Sequence, residues 1–173
     1  MRDWVVGGAV IEQGAVVEST GDGRSDGVLL VENLRRNGDL DWTTPGGVID
    51  PGEEVVAGLT REVREETGLE VLRWGEMLYG ITAEAPDLGW RLRVEVHRAV
   101  EVTGELRVGD DPDGIVVGAE WADRSRCVEC LGASHPWVRE PLMEWMVERF
   151  VAPREFRYRI LGDRISELSC TRT

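Results

Sequence analysis

The sequence predicts an α/β protein in which a mixed sheet is flanked by helices. Three observations lead to this prediction. Alternating apolar and polar residues mark several strands, an amphipathic helical pattern lies in the middle of the chain, and a second helical pattern follows the later strands. Strands on both sides of a central helix are typical of a sheet that helices cover on two faces.

The first part of the chain is predicted to form strands. Residues 4–12 alternate loosely in polarity, and residues 14–18 and 27–33 give two further strands around a polar, glycine-rich loop at residues 19–26. A turn is expected at residues 35–38, where two arginines precede an Asn-Gly pair. These strands come before the central helix and supply part of the sheet.

The central helix is predicted from an apolar stripe. Val56, Leu59 and Val63 recur at helical spacing, so one face of the helix can be buried. We expect Glu53 and Glu54 in the first turn of the helix, where the helix dipole favours negative charge.

Loops bound this helix on both sides. Residues 50–52, Asp-Pro-Gly, favour a turn before the helix, and Gly68 is well placed to end it. The segment therefore reads loop, helix, loop.

The helix also carries a cluster of carboxylates on one face. Glu62, Glu65 and Glu66 stand at positions i, i+3 and i+4. Carboxylates packed so closely repel one another unless a cation lies between them, and oxygen ligands suit Mg²⁺ or Mn²⁺ much better than zinc. The alternative is a solvated face held by i,i+4 ion pairs. It explains neither residues 45–47, Pro-Gly-Gly, nor the spacing of Glu53 from the cluster.

More strands and a second helix follow. Residues 70–84 supply one or two strands, residues 91–102 a long one, and residues 120–123 a short one. A helix is predicted at residues 136–150, with Ser134 as its cap and a kink or a later start at Pro141; its apolar stripe consists of Val138, Leu142, Trp145 and Met146.

The C-terminal segment is predicted to form a β-hairpin at about residues 155–170. Its first strand covers residues 156–160, and its second returns through residues 165–168. No linker long enough to divide domains precedes it, so we expect one domain over residues 1–173.

Composition limits the classes of function. The net charge of −13 argues against nonspecific binding to nucleic acid or to anionic membranes. No apolar run approaches the roughly 20 residues needed to span a bilayer, and no signal peptide pattern is present, so we expect a cytoplasmic protein. The three cysteines fit a reducing compartment, and Cys127 and Cys130 are more simply explained as thiols on a short helix than as zinc ligands.

The central segment resembles the Nudix box, which is a glycine, five residues, Glu, seven residues, and Arg-Glu-apolar-x-Glu-Glu-x-Gly-apolar. The matching positions are Gly47, Glu53, Arg61, Glu62, Val63, Glu65, Glu66, Gly68 and Leu69. The resemblance implies a Nudix-like α/β/α sandwich with a catalytic loop-helix-loop. It also implies a Mg²⁺- or Mn²⁺-dependent pyrophosphohydrolase that cleaves a nucleoside diphosphate linked to another group, such as ADP-ribose, a nucleotide sugar or a nucleoside triphosphate.

The resemblance also implies roles for individual residues. Glu62 and Glu66 are expected as metal ligands together with the Gly46 carbonyl, and Glu65 either coordinates the metal or acts through water. Arg61 is expected to orient the carboxylates by pairing with Glu53. Nudix proteins often take a general base or a further metal ligand from a later loop. Asp111 and Asp113 are the candidates for that role, and a solvated Asp-Pro-Asp-Gly turn is the alternative.

Substrate contacts are less sharply predicted. Arg35, Arg36 and Arg91 could pair with phosphates, and Trp42 could stack on a base, although a core position is the stronger expectation for the tryptophan. A nucleotide-sensing or partner-binding module without turnover is the alternative to an enzyme. A small-molecule nucleotide is the expected partner, and the sequence leaves a homodimer open.

Overall fold

The computed structural model of the protein describes residues 1–17, 27–108, 112, 114–162 and 168–173. Within these ranges it has three α-helices and nine strands. In chain order they are β1 (Arg2–Ile11), β2 (Val28–Leu34), β3 (Leu40–Thr43), β4 (Gly46–Val48), α1 (Val55–Thr67), β5 (Glu70–Ala85), β6 (Trp90–Thr103), β7 (Val116–Ala122), α2 (Arg124–Cys130), α3 (Pro136–Glu148), β8 (Arg154–Leu161) and β9 (Ser169–Arg172).

The described strands form two sheets. The larger sheet has the order β4-β1-β6-β5-β8-β9 and is mixed, because β1 pairs with β6 and β5 pairs with β8 in parallel while its other neighbours are antiparallel. The smaller sheet is antiparallel, with the order β3-β2-β7. The predicted mixed α/β fold is thus confirmed.

Helices cover both faces of the larger sheet. Successive residues of a strand point to opposite faces. Accordingly, Ala9 and Ile11 of β1 pack in one core cluster with Leu59 of α1, whereas Val10 packs in a second cluster with residues of α2 and α3 such as Leu142. This division places α1 on one side of the sheet and α2 with α3 on the other.

Helix α1 begins later than the sequence predicts. Its first residue is Val55, and Glu54 is the N-cap residue with an extended backbone, so neither Glu53 nor Glu54 lies in the first helical turn. The prediction for those two glutamates was wrong; Glu53 instead faces Arg61 from the loop. The predicted end is confirmed. Gly68 adopts a left-handed conformation with φ of 71°, and its N–H donates to the carbonyl of Arg64.

The N-terminal segment differs from the prediction in two places. Residues Gln13–Ala15 form a 3₁₀ turn, and Val16 makes only an isolated bridge to Val102, so the strand expected at residues 14–18 is wrong for its described part. Strands β3 and β4 were not predicted. Both are short, and each is defined by its pairing, β3 with β2 and β4 with β1.

Helix α3 starts where predicted but is capped differently. His135 is the N-cap residue and makes no side-chain capping bond, and the helix continues through Pro141 to Glu148. Ser134 is not the cap. Its hydroxyl donates to the carbonyl of Trp42 at 2.6 Å and thereby ties the start of α3 to β3.

The C-terminal hairpin extends the larger sheet. Strand β8 runs parallel to β5, and β9 pairs antiparallel with β8. The second strand starts at Ser169, a few residues later than the sequence suggests; most of the predicted return, residues 165–167, lies outside the described residues. Glu144 of α3 holds the hairpin in place, because it accepts from Arg154 and from Arg172, each at 2.8 Å.

Candidate active site

The glutamate face of α1 opens into a cavity of about 670 Å³. The cavity is lined by Glu62, Glu65 and Glu66, by Arg61, and by the backbone around Gly46 and Gly47 at the edge strand β4. Since α1 packs against β1, β4 and β5, Leu59 and Val63 are buried in the core, and Glu66, seven residues after Leu59, is buried beside them. The carboxylates therefore adjoin the packed face of the helix at the edge of the cavity.

Arg61 lies between three carboxylates. Its guanidinium donates to Glu62 at 2.7 Å, to Glu53 at 3.1 Å and to Glu65 at 3.3 Å. The bond from Arg61 holds the pKa of Glu53 below its usual range, while pairing with Glu53 and Glu62 raises the pKa of Arg61. The arginine thus offsets the repulsion within the cluster and fixes the rotamers of its neighbours.

Glu66 is held by the backbone instead. It is buried, and its Oε2 accepts from the N–H of Gly46 at 2.8 Å. This bond joins the last turn of α1 to strand β4, which lies 20 residues earlier in the chain. A buried carboxylate requires such partners, because loss of solvation otherwise disfavours its charged form.

Glycine is required at two positions in β4. Gly46 has a φ of 144°, and a Cβ there would overlap the carbonyl of Gly7. At Gly47 the backbone is ordinary, but a Cβ would overlap the carboxylate of Glu62. The carboxylates of α1 consequently approach the backbone of β4 as closely as the chain permits.

The donor set has the right chemistry for a hard divalent cation, because three carboxylates and exposed backbone lie along one cavity. The close approach of Glu62 to the backbone of Gly47 fits such a site as well. Among the described residues, however, no three His, Cys, Asp or Glu side chains are arranged so that they could hold an ion together. Arg61 donates to one oxygen each of Glu62 and Glu65, and the Gly46 N–H donates to one oxygen of Glu66 in this arrangement.

The residues proposed from the sequence for substrate contact lie in different places. Arg35 lines the cavity and pairs with Asp41 through two bonds of 2.7 and 2.8 Å. Arg36 is exposed, Arg91 pairs with Glu84 at 2.9 Å, and Trp42 packs against the core; none of these three is among the described residues that line the cavity. Asp111 and Asp113 lie outside the described residues.

Several cavity residues were not predicted. They are Asn33, Asp41, Thr43, His135 and Trp137, contributed by β2, β3 and the start of α3. Local sequence gives no indication of them, because they are brought together only by strand pairing and by the bond from Ser134 to β3. Partial loss of solvation at the cavity wall lowers the pKa of His135.

Gly47→Ala tests the close approach of β4 to the glutamates. We expect kcat/KM of any hydrolytic activity to fall about 100-fold, since the new Cβ displaces the Glu62 carboxylate and a shift of about 1 Å can have that effect. Steady-state kinetics measure the fall in kcat/KM, and thermal unfolding measures whether the variant keeps the stability of the wild-type fold. Gly14→Ala is the matched control because a Cβ at Gly14 meets nothing within 4 Å. Equal activity of both variants would contradict the arrangement described for Gly47.

No helix among the described residues is long and apolar enough to cross a membrane.

Cys127 and Cys130 are buried on α2, and burial raises the pKa of both thiols. They are the ordinary helix thiols that the sequence favours.

Known proteins resemble this chain in sequence and in fold. The chain is 32% identical over 100 residues to the 8-oxo-dGDP phosphatase NUDT18 of Homo sapiens; the match covers 58% of this chain and 29% of that protein. Its fold is similar to that of the MutT protein from Bacillus halodurans, with 21% identity and a TM-score of 0.63 over 98% of this chain and 97% of the other. A MutT NUDIX hydrolase from Burkholderia pseudomallei is 26% identical, with a TM-score of 0.57 over 73% of this chain and 87% of the other.

The curated relative is much longer than the segment it shares, since the chain spans less than a third of its length. The likeness to the B. halodurans protein, in contrast, extends over nearly the whole of both chains. The model of the NUDIX domain matches residues 13–146, a range that contains α1 with its three glutamates and β4 with its two glycines. The chain belongs to the NUDIX domain family, the family of Nudix pyrophosphohydrolases.

Proposed function

We propose that the protein is a Mg²⁺- or Mn²⁺-dependent pyrophosphohydrolase that cleaves the anhydride bond of a nucleoside diphosphate linked to another group. The observation that carries this proposal is the cavity itself. It brings Glu62, Glu65 and Glu66 together with the backbone of Gly46 in a space large enough for a nucleotide. A sensor that binds without turnover has no need for the whole set of glutamates.

In this proposal Glu62 and Glu66 hold the metal with the Gly46 carbonyl as a further oxygen donor, and Glu65 either coordinates the metal or acts through water. When bound, the ion supplies Lewis-acid neutralisation of adjacent phosphates and lowers the pKa of bound water. Arg61 acts as a positioning residue because it already contacts Glu53, Glu62 and Glu65. The Gly46 N–H has the same role for Glu66.

The general base is proposed to come from the loop that contains Asp111 and Asp113, or from Glu65. Pro112, which is described, lines the cavity, and this supports an acid from that loop. Glu65 also lines the cavity and is held by Arg61 at the longest of the three distances, so it is the most easily released.

The substrate is proposed to be a nucleotide with at least two linked phosphates, and ADP-ribose, nucleotide sugars and nucleoside triphosphates are the classes to compare. The relative named as an 8-oxo-dGDP phosphatase adds oxidised purine deoxynucleotides to this set. Its similarity covers only part of both chains, so the oxidised nucleotides stand beside the other classes rather than in their place.

A substrate panel tests this function. The protein is incubated with Mg²⁺ or Mn²⁺ and each of ADP-ribose, nucleotide sugars, dinucleoside polyphosphates, nucleoside triphosphates, and 8-oxo-dGDP with its triphosphate. Released phosphate is measured directly and after added pyrophosphatase for the nucleoside di- and triphosphates, and after added phosphatase for the substrates whose phosphates are blocked at both ends, which separates the possible sites of cleavage. We expect metal-dependent turnover of at least one member, abolished by EDTA. Tight binding of a nucleotide with no turnover of any member would instead establish the sensing module.

A further inference from the structure

Aromatic side chains form a flat shelf on the cavity wall. His135 stacks on Trp137 with ring centroids 4.1 Å apart and an angle of 10° between the planes. Trp90 meets Trp137 edge-on at 6.3 Å and supports it from the core side. Both residues of the stack line the cavity. A stacked aromatic pair at a cavity wall offers a planar apolar face, which is the surface that a heteroaromatic base prefers.

A buried amide lies in the same cavity. Asn33 is only 4% exposed, and its Nδ2 donates to Thr43 Oγ1 at 3.0 Å and to Asp41 Oδ1 at 3.3 Å. Asp41 is fixed in turn by its two bonds from Arg35. Because a carboxylate only accepts hydrogen bonds, the amide nitrogen of Asn33 must face Asp41, and this determines the orientation of the whole amide group.

The carbonyl oxygen of Asn33 is left as an acceptor. No other described residue donates to it, and no fully enclosed side-chain oxygen or nitrogen in the described part of the chain lacks a partner. Since Asn33 lines the cavity, this oxygen is the acceptor that it can present to a ligand there. An oriented acceptor next to an aromatic shelf selects a planar ligand that carries an N–H donor at its edge.

The shelf and the amide belong to one end of the site. Asp41 and Arg35 both act electrostatically on the imidazole of His135, and Ser134 joins the start of α3 to β3 between Asp41 and Thr43. The network is thus connected from the stacked rings to the amide.

We propose that Asn33 recognises the exocyclic amino group of a purine base stacked on the His135–Trp137 shelf. This rests on the proposed function, in which the cavity holds a nucleotide. A purine is favoured over a pyrimidine because its two rings cover more of the His135–Trp137 shelf. The amino group is favoured because the fixed carbonyl of Asn33 accepts a hydrogen bond and cannot donate one.

Calorimetric binding tests the proposal without depending on turnover. Methylene-bridged diphosphates, which resist hydrolysis, are compared in two pairs in the presence of Mg²⁺: guanosine with inosine, and adenosine with purine riboside. Each pair differs by one amino group. In the wild-type protein, we expect loss of the amino group to weaken binding about tenfold in at least one pair. In Asn33→Leu the ratio of the two affinities within that pair should fall to about one. The matched control Asn37→Leu, at an exposed turn residue, should keep the wild-type ratio.

An unchanged ratio in a folded Asn33→Leu variant would overturn the proposal, as would equal affinities within both pairs in the wild-type protein. If that variant does not fold, His135→Ala replaces it, because His135 is exposed at the cavity rim. It should weaken binding of the base-bearing diphosphates about tenfold relative to the methylene-bridged diphosphate of ribose, which has no base. An equal effect on both ligands contradicts the shelf. Base-selective binding without turnover would refute only the proposed hydrolase activity. Turnover by the wild-type protein, with the affinity ratio unchanged in Asn33→Leu, would refute only the role of Asn33.

Discussion

Glu66→Gln is expected to abolish hydrolysis, with a fall in kcat/KM of at least about 100-fold, because a ligand charge at the proposed cation site is worth several kcal/mol. The fold should survive the change. The oxygen of glutamine can still accept from the Gly46 N–H, so the bond between α1 and β4 is retained. Three measurements are independent. Activity on the best substrate of the panel measures hydrolysis, calorimetry measures Mn²⁺ affinity, and the thermal midpoint Tm measures the stability of the fold.

Glu70→Gln is the matched control for this substitution. Glu70 is an exposed glutamate at the start of β5, and it is not among the described residues that line the cavity. It should retain the activity, the metal affinity and the Tm of the wild-type protein. Undiminished hydrolysis by Glu66→Gln would show that the metal site has been assigned to the wrong residues. Reduced metal affinity with a normal rate at saturating metal would restrict Glu66 to binding the ion.

Leu59→Ala is expected to lower the free energy of unfolding by about 2–5 kcal/mol. Leu59 is fully buried in the core cluster beneath α1, where it packs with residues of β1 and β6, and alanine would leave a cavity between helix and sheet. Because the same helix carries the glutamates, the variant should also lose activity at temperatures below its Tm. Urea unfolding followed by tryptophan fluorescence measures the stability, and activity assays at low temperature measure the second effect.

Val147→Ala is the comparison for the stability measurement. It also removes apolar side-chain atoms from a helix, but Val147 is 53% exposed on α3, so the expected change is within about 0.5 kcal/mol. Similar losses in the two variants would show that Leu59 does not anchor α1 in the way that its burial indicates.

Local pattern was sufficient for the long elements and for the catalytic helix. Val63 and Leu59 are both fully buried at the predicted spacing, and Gly68 ends the helix as expected. These features depend on residues close together in the chain, where helix periodicity and capping act. The start of the helix was misplaced because Glu53 makes its contacts with Arg61 across the loop, which outweighs the small preference of an acid for the first turn.

Short edge elements could not be found in this way. Strand β4 has three residues, two of which are glycines, and it exists because β1 provides its hydrogen-bonding partners and Gly46 can adopt a φ of 144°. The 3₁₀ turn at Gln13–Ala15 shows the opposite case, since the strand expected from residue 14 onward has no partner strand along its length. Propensity for strand is weak until a neighbouring strand is present.

The family resemblance, the glutamate cluster and the chemistry of its donors could be predicted from the sequence, because all of these lie in one continuous segment of 23 residues, 47–69. The surroundings of the cluster depend on the tertiary structure. Asn33, Asp41 and His135 come from distant parts of the chain and share a cavity through strand pairing and the contact of Ser134 with β3. Substrate recognition depends on such long-range juxtaposition, and local residue spacing carries no information about it.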